Sequence, residues 1–253
     1  MARFRIKGGN SIKGIFKPRG NKNAVLPMLA ASLLTDKPVI LNNIPLIDDV
    51  KVMLKLLETL GVKVDLDGHT VKLDASNIRI TDLDEVLCSR VRTSILLAGP
   101  LSARHGSATI FPPGGDGIGK RRLDTHFHGL SSLGIEININ TSYQFKASGL
   151  KGCDIILDEA SVTATENILM AAVLAEGDTT IYNAACEPHV QDLALLLNTM
   201  GATITGIGTN RLSVSGVKDL HGADYNVQPD YIEIGSFIAA AVATGGELEI
   251  PGI

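Results

Sequence analysis

The chain lacks the markers of several large function classes. The longest apolar run, AVLPMLAASLL over 24–34, has 11 residues, far short of the roughly twenty that cross a bilayer. The opening MARFRIKGGN has no apolar core of the secretory type. Cysteine is scarce: Cys88, Cys153 and Cys186 are odd in number and far apart, which argues against a disulfide framework or a cysteine-based metal site. Three free thiols fit a reducing compartment, so a cytoplasmic protein with no metal, no cofactor and no membrane contact is expected. Nor is there an excess of positive charge. At a net charge of −4 no global field recruits nucleic acid, and any anion site must be local.

What the chain does have is apolar content, 45% against 20% charged, arranged in a repeat. Four runs are apolar nearly all round, as fully buried helices are: 24–34, SILLAGPLSA (94–103), NILMAAVLA (167–175) and SFIAAAVA (236–243). Each precedes a strand-like segment: PVIL (38–41), ATIF (108–111), TTIY (179–182) and ELEI (247–250). The first three then continue into an amphipathic helix closed by Gly61, Gly134 or Gly201. Two alternating strands follow, the first pair turning at Asp67-Gly68. The predicted unit is helix, strand, helix, strand, strand. Three copies cover 21–216, and a fourth begins near Asp230 and is incomplete at Ile253.

Copy two departs from its siblings. From the strand to the first apolar residue of the amphipathic helix it uses 16 residues (Ala108–Leu123), against 13 (Pro38–Val50) and 12 (Thr179–Val190). The surplus of three or four residues falls within GGDGIGK, which carries Asp116. Copy one opens its amphipathic helix with Asp48 and Asp49, which the helix dipole favours. Copy two has Arg121 and Arg122 there, disfavoured by about 0.3–1 kcal/mol each unless an anion lies opposite. Lys22 with Asn23, and Arg90 with Arg92, stand at the starts of two buried helices, as a shared anion pocket would need. GGDGIGKR is a near miss to a phosphate-binding P-loop, but Arg121 has no hydroxyl for Mg²⁺; a surface turn with solvated charges stays open. The stretch from Ser161 to Glu166 reads first as helix capping. His126 and His128 have no metal-ligand partners in sequence, and Glu187, His189 and Asp192 read as helix-start chemistry.

Taken together, GNKNAVLPMLAASLLT, VRTSILLAGPLSAR, PPGGDGIGKR…LDTHFHGLSSLG, SVTATENILMAAVLAEG, NAACEPHVQDLALLLNTMGA and PDYIEIGSFIAAA resemble the UDP-N-acetylglucosamine enolpyruvyl transferase family, in order and spacing, over its N-terminal three-fifths. The resemblance implies an inside-out α/β prism of these repeats around buried helices. One prism would be complete over 21–229; 1–20 and 230–253 would be part of a second. It implies transfer of the enolpyruvyl group of phosphoenolpyruvate to the 3-hydroxyl of UDP-N-acetylglucosamine, releasing phosphate and committing the sugar to peptidoglycan. Lys22, Arg92 and Arg121 match the clamp on phosphoenolpyruvate. Asn23, Arg121, Arg122, Leu123, Asp124 and Thr125, with Ser161, Val162 and Thr163, match segments that hold the UDP-sugar. Asp116 matches the loop residue that supplies the acid.

Several positions depart from the family pattern. Arg122 stands where proline is usual, Thr163 where glycine is frequent, and Tyr231 where arginine is usual; Asp230 and Glu233 match. Many members carry cysteine at the Asp116 position. An aspartate must be raised by about three units, roughly 4 kcal/mol, to act as an acid at neutral pH. Carboxylates also open epoxides poorly, so fosfomycin should form no adduct; an intact-mass increase on Asp116 would refute this. The family's second acidic residue and further arginines lie beyond the matched portion, so this chain alone is expected to show no turnover. A 3-phosphoshikimate enolpyruvyl transferase-like enzyme and a non-catalytic UDP-sugar-binding relic are the alternatives.

Overall fold

The computed structural model describes residues 3–115, 119 and 121–253. Strand β1 (Lys13–Ile15) leads to α1 (Lys22–Ala31), in which every residue from Ala24 to Ala31 is buried. Asn21 caps this helix, its side chain accepting from the Asn23 and Ala24 amides at 2.7 and 3.3 Å. Beyond a 3-10 turn at Ser32–Leu34 come β2 (Val39–Asn42), α2 (Asp48–Leu60), β3 (Lys63–Asp67) and β4 (Thr70–Asp74). Helix α2 buries Val50, Met53, Leu54, Leu57 and Leu60, and Gly61 ends it at φ 106°. The hairpin turn centres on Gly68 and His69, one residue later than expected, because Asp67 pairs with Thr70.

The second unit comprises α3 (Glu85–Cys88), a 3-10 segment at Arg92–Leu97, α4 (Ala98–His105), β5 (Ser107–Ile110), α5 (Asp124–Ser132), β6 (Glu136–Ile139) and β7 (Tyr143–Lys146). The single helix expected over 94–103 is thus broken in two. The cause is local. Pro100 has no amide to donate, and the Gly99 amide donates instead to Asn167 Oδ1 at 2.7 Å, so two successive rungs of an α-helical ladder are missing. The third unit holds β8 (Asp154–Ile156), α6 (Val162–Ala172), β9 (Asp178–Tyr182), α7 (Pro188–Thr199), β10 (Thr203–Thr205) and β11 (Arg211–Ser215). After it come β12 (Ala223–Asn226), α8 (Tyr231–Thr244) and β13 (Glu247–Glu249).

The strands form sheets in the orders β12-β2-β4-β3, β5-β7-β6 and β10-β11-β9-β8, around the buried α1, Arg92–His105 and α6. The repeat contains an element that the sequence reading left out, a short strand parallel to the one after the buried helix. It is β8 against β9, β12 against β2, and an isolated bridge from Asp82 to Thr109. For the first unit this strand arrives from beyond the third, so the ring of units closes. A shared device marks the repeat. Asn43 and Asn183 both follow their strands with positive φ, 62° and 56°. Their side-chain amides donate to the Val227 and Leu157 carbonyls at 3.1 and 3.0 Å, just past the parallel strands.

Where residues 20 and 229 cross, they bridge, and Asn21 Nδ2 reaches Asp230 Oδ1 at 3.4 Å. A Cβ on Gly20 would lie 2.4 Å from the Asn43 carbonyl oxygen, so the crossing requires glycine. Beyond it β1 pairs with β13 in parallel and Phe16 stacks on Phe237. The expectation of a fully buried fourth helix is corrected here: α8 has no buried residue, and Ile232, Ile238 and Val242 are exposed. Among the described residues no layer covers its outer face. No helix among the described residues is long and apolar enough to cross a membrane.

Candidate active site

The N-terminal ends of the buried helices converge. Lys22 and Asn23 begin α1, Arg92 and Thr93 begin the 3-10 segment, and Ser161, Val162 and Thr163 begin α6. Together with Arg121 they line two adjoining cavities of about 470 and 490 Å³, which share Asn23, Arg92, Thr93, Arg121 and Thr163. Amide hydrogens left free in the first turns point into such a space and favour an anion. Ser89 and Gly115 line one edge, and Gly114 beside them donates its amide to the Cys88 carbonyl at 3.0 Å. Its missing Cβ would sit 1.6 Å from the Ser89 oxygen, so no other residue fits there without moving the chain.

The charges are partly committed. Lys22 Nζ meets Asp49 Oδ2 at 3.2 Å and Arg90 meets Asp48 at 3.3 Å, both pairs solvent-exposed. Lys22 therefore has a structural partner of its own in Asp49. Arg92 donates from Nη2 to the Arg121 and Arg122 carbonyls at 2.8 and 3.1 Å, tying the 3-10 segment to the stretch before α5. Burial and then the neighbouring Arg121 lower its pKa, which still leaves a guanidinium charged at neutral pH.

Arg121 and Arg122 precede α5 rather than forming its first turn, which carries Asp124 instead. Arg122 is not an uncompensated cation. It forms ion pairs with Asp124 and with Asp158, the latter at 2.6 Å. Its bond with Asp124 holds that carboxyl below the ordinary range, and Asp158 is lowered first by the Thr125 hydroxyl and then by Arg122. Thr125, buried, donates to Asp158 Oδ1 at 3.0 Å, while Leu123 packs against the core. Leu123, Asp124 and Thr125 thus support the cleft but do not line it. Asp116 lies outside the described residues. Ser161 caps α6 as expected, accepting from the Ala164 amide at 3.4 Å.

Sequence reasoning missed Thr93, Glu159, Glu166 and His189, all of which line the cleft. Glu166 was legible in principle as a charged residue inside TENILMAAV. It is fully buried, neither oxygen has a partner among the described residues, and burial followed by Glu187 pushes its pKa well up. The helix-start reading of the third unit is corrected too. His189 Nδ1 lies 3.1 Å from the Tyr231 hydroxyl. Asp192 accepts from Tyr225 at 2.6 Å and from the Gln228 amide at 3.1 Å, fastening α7 to the closing strand. Among the described residues no cluster of ligating side chains suits a metal ion.

A family model for EPSP synthase (3-phosphoshikimate 1-carboxyvinyltransferase) matches residues 6–253. The chain belongs to that family. It is 50% identical over 254 residues to a UDP-N-acetylglucosamine 1-carboxyvinyltransferase from Treponema denticola, covering 100% of this chain and 60% of the relative. It is 52% identical over 251 residues to the protein of that name from Borreliella burgdorferi, covering 99% and 59%. The chain therefore spans about 60% of the length of these curated relatives. Among solved structures, the enolpyruvyl transferase NikO from Streptomyces tendae superposes with a TM-score of 0.79 at 24% identity, covering 91% of this chain and 55% of that one. EPSP synthase from Acinetobacter baumannii superposes at 0.75 and 21% identity, covering 95% and 56%. The fold is that of the enolpyruvyl transferases, as the sequence resemblance implied, and the family's members are carboxyvinyl transferases.

Proposed function

We propose that this chain is the N-terminal part of an enzyme that moves the enolpyruvyl group of phosphoenolpyruvate onto the 3-hydroxyl of UDP-N-acetylglucosamine. Phosphate leaves, and the product enters peptidoglycan synthesis in the cytoplasm. The observation that carries this reading is the cleft where three buried helices begin, bearing Lys22, Arg92, Arg121 and the Ser161–Thr163 segment. Both substrates are polyanions, and a cleft of helix N-termini and guanidinium groups can hold charge that shifts during addition and elimination. In this reading residues 21–229 form one prism, and 1–20 with 230–253 begin another. Arg92 and Lys22 hold the phosphate of the enol, while Arg121 and the start of α6 hold the diphosphate. Asp116 protonates the vinyl carbon; the sugar hydroxyl then adds, and phosphate is eliminated.

The acceptor is assigned from the curated relatives, about half identical across the whole chain, whereas the EPSP synthase structure is 21% identical. The test is phosphate release from phosphoenolpyruvate with UDP-N-acetylglucosamine or shikimate 3-phosphate as acceptor. It is run on this chain with and without a complementing C-terminal segment from a relative. Release is expected with the UDP-sugar and the complemented chain only. Release with shikimate 3-phosphate instead would overturn the acceptor, and turnover by the chain alone would overturn the division of the site.

A further inference from the structure

A buried chain of hydrogen bonds runs from the middle of the molecule to the rim of the cleft, and its polarity can be worked out atom by atom. Asn167, fully buried in α6, accepts the Gly99 amide hydrogen on Oδ1 at 2.7 Å. A backbone amide only donates, so the opposite end of that side chain is the NH₂. Its two hydrogens go to the Ile95 carbonyl at 2.9 Å and towards His126 Nδ1 at 3.1 Å. Nδ1 must therefore be the acceptor of the imidazole, which puts the ring hydrogen on Nε2. Nε2 lies 3.1 Å from Thr163 Oγ1, so the histidine donates and the threonine accepts. The ring stays neutral: burial, with Arg92 adding to it, lowers the His126 pKa to about 3.

The consequence falls on Thr163. A hydroxyl has one hydrogen and two lone pairs, and one lone pair is taken by His126. That is the only hydrogen bond of the Thr163 side chain among the described residues, and Thr163 lines both halves of the cleft. Its own hydrogen is left to point at a ligand between Arg92, Arg121 and the first turn of α6. We propose that Thr163 is a ligand-contacting donor to a phosphate oxygen, and that His126 and Asn167 are positioning residues that keep its hydroxyl from turning inward.

The proposal rests on the reading of the cleft as a site for a diphosphate-bearing substrate, and two probes separate the two ideas. Calorimetric titration of the chain with UDP-N-acetylglucosamine and with inorganic pyrophosphate is paired with ¹⁵N NMR of the His126 ring. The variants are Thr163→Ser, Thr163→Val and, should the valine variant not fold, Thr163→Ala. His126 is expected to carry its hydrogen on Nε2. Thr163→Ser should bind like the parent, and Thr163→Val or Thr163→Ala about tenfold or more weakly, as for a lost hydrogen bond to a charged group. A ring hydrogen on Nδ1, parent-like affinity in the variants without a hydroxyl, or failure of both probes to bind the parent would overturn the proposal. Binding of pyrophosphate without the UDP-sugar would overturn only the acceptor, and the Thr163 contact is then scored on pyrophosphate.

Discussion

Asn167→Leu should cost this protein about 3–5 kcal/mol of stability, enough to lower its thermal midpoint by many degrees. The two side chains are close in volume, so cavity formation contributes little. What changes is polar accounting. Two buried groups lose their only partner at once, the Gly99 amide and His126 Nδ1, and the Ile95 carbonyl keeps only the Ala98 amide. Each unsatisfied buried group costs about 1–3 kcal/mol, and the added apolar side chain returns only part of that sum. The lost bonds also anchor the site: Ile95 and Gly99 belong to the broken helix that presents Arg92, and His126 holds Thr163. Denaturant unfolding of the variant beside Asn167→Ala checks this. A loss below about 1 kcal/mol would mean that the Gly99 amide and His126 find other partners without the side chain.

The broken helix also illustrates what could be read in advance. Its apolar character was plain from SILLAGPLSA, and burial of Ile95, Leu96, Leu97, Ala98 and Leu101 agrees. Its two-part geometry was not, because the partner that captures the Gly99 amide is 68 residues away. The same limit hid the parallel strands. Asp154–Ile156 and Ala223–Asn226 are too short to carry a period, and their pairing is decided by the ring rather than by local sequence. Helix α8 fails for a different reason. Its composition predicts enclosure, but enclosure depends on what packs against it, and no residue of it is buried in this chain.

The cations of the site were legible because helix ends have a sign. Lys22 and Arg92 stand at the starts of buried helices and Arg121 just ahead of another helix, and all three line the cleft. The same argument misled at Arg122, whose charge is met by Asp124 and Asp158. Asp158 belongs to another unit, 36 positions on, and no spacing rule links the two. Thr163 drew notice as part of the segment matched to the UDP-sugar and as a departure from the family's glycine, not for what its hydroxyl meets. The hydrogen-bond chain behind it joins three separate segments and becomes visible only in three dimensions.

Glu166→Gln should stabilise the protein at neutral pH, and by more as the pH rises. Glu166 has no exposed surface and no hydrogen-bond partner among the described residues, and Glu187, beside it, has an unpaired buried oxygen of its own. Burial and that neighbour raise the folded-state pKa above the value of about 4.3 for an unfolded chain. The sign follows from proton counting. Between the two pKa values the folded state holds a proton that the unfolded state releases, so stability is full below the unfolded pKa and falls as pH rises towards the folded one. The slope is about 1.4 kcal/mol per pH unit while that window lasts. Glutamine has the same shape and cannot ionise, so the variant lacks this slope. Denaturant midpoints for both proteins should coincide near pH 4 and diverge as the pH rises above it. Parallel curves would show that Glu166 is ionised in the fold. A neutral acid also suits the cleft it lines, since a carboxylate there would offset the positive field of Arg92 and Arg121 where anions bind. The glutamine variant should therefore keep pyrophosphate affinity while gaining stability, a combination that an ionised Glu166 held by an unseen cation would not give.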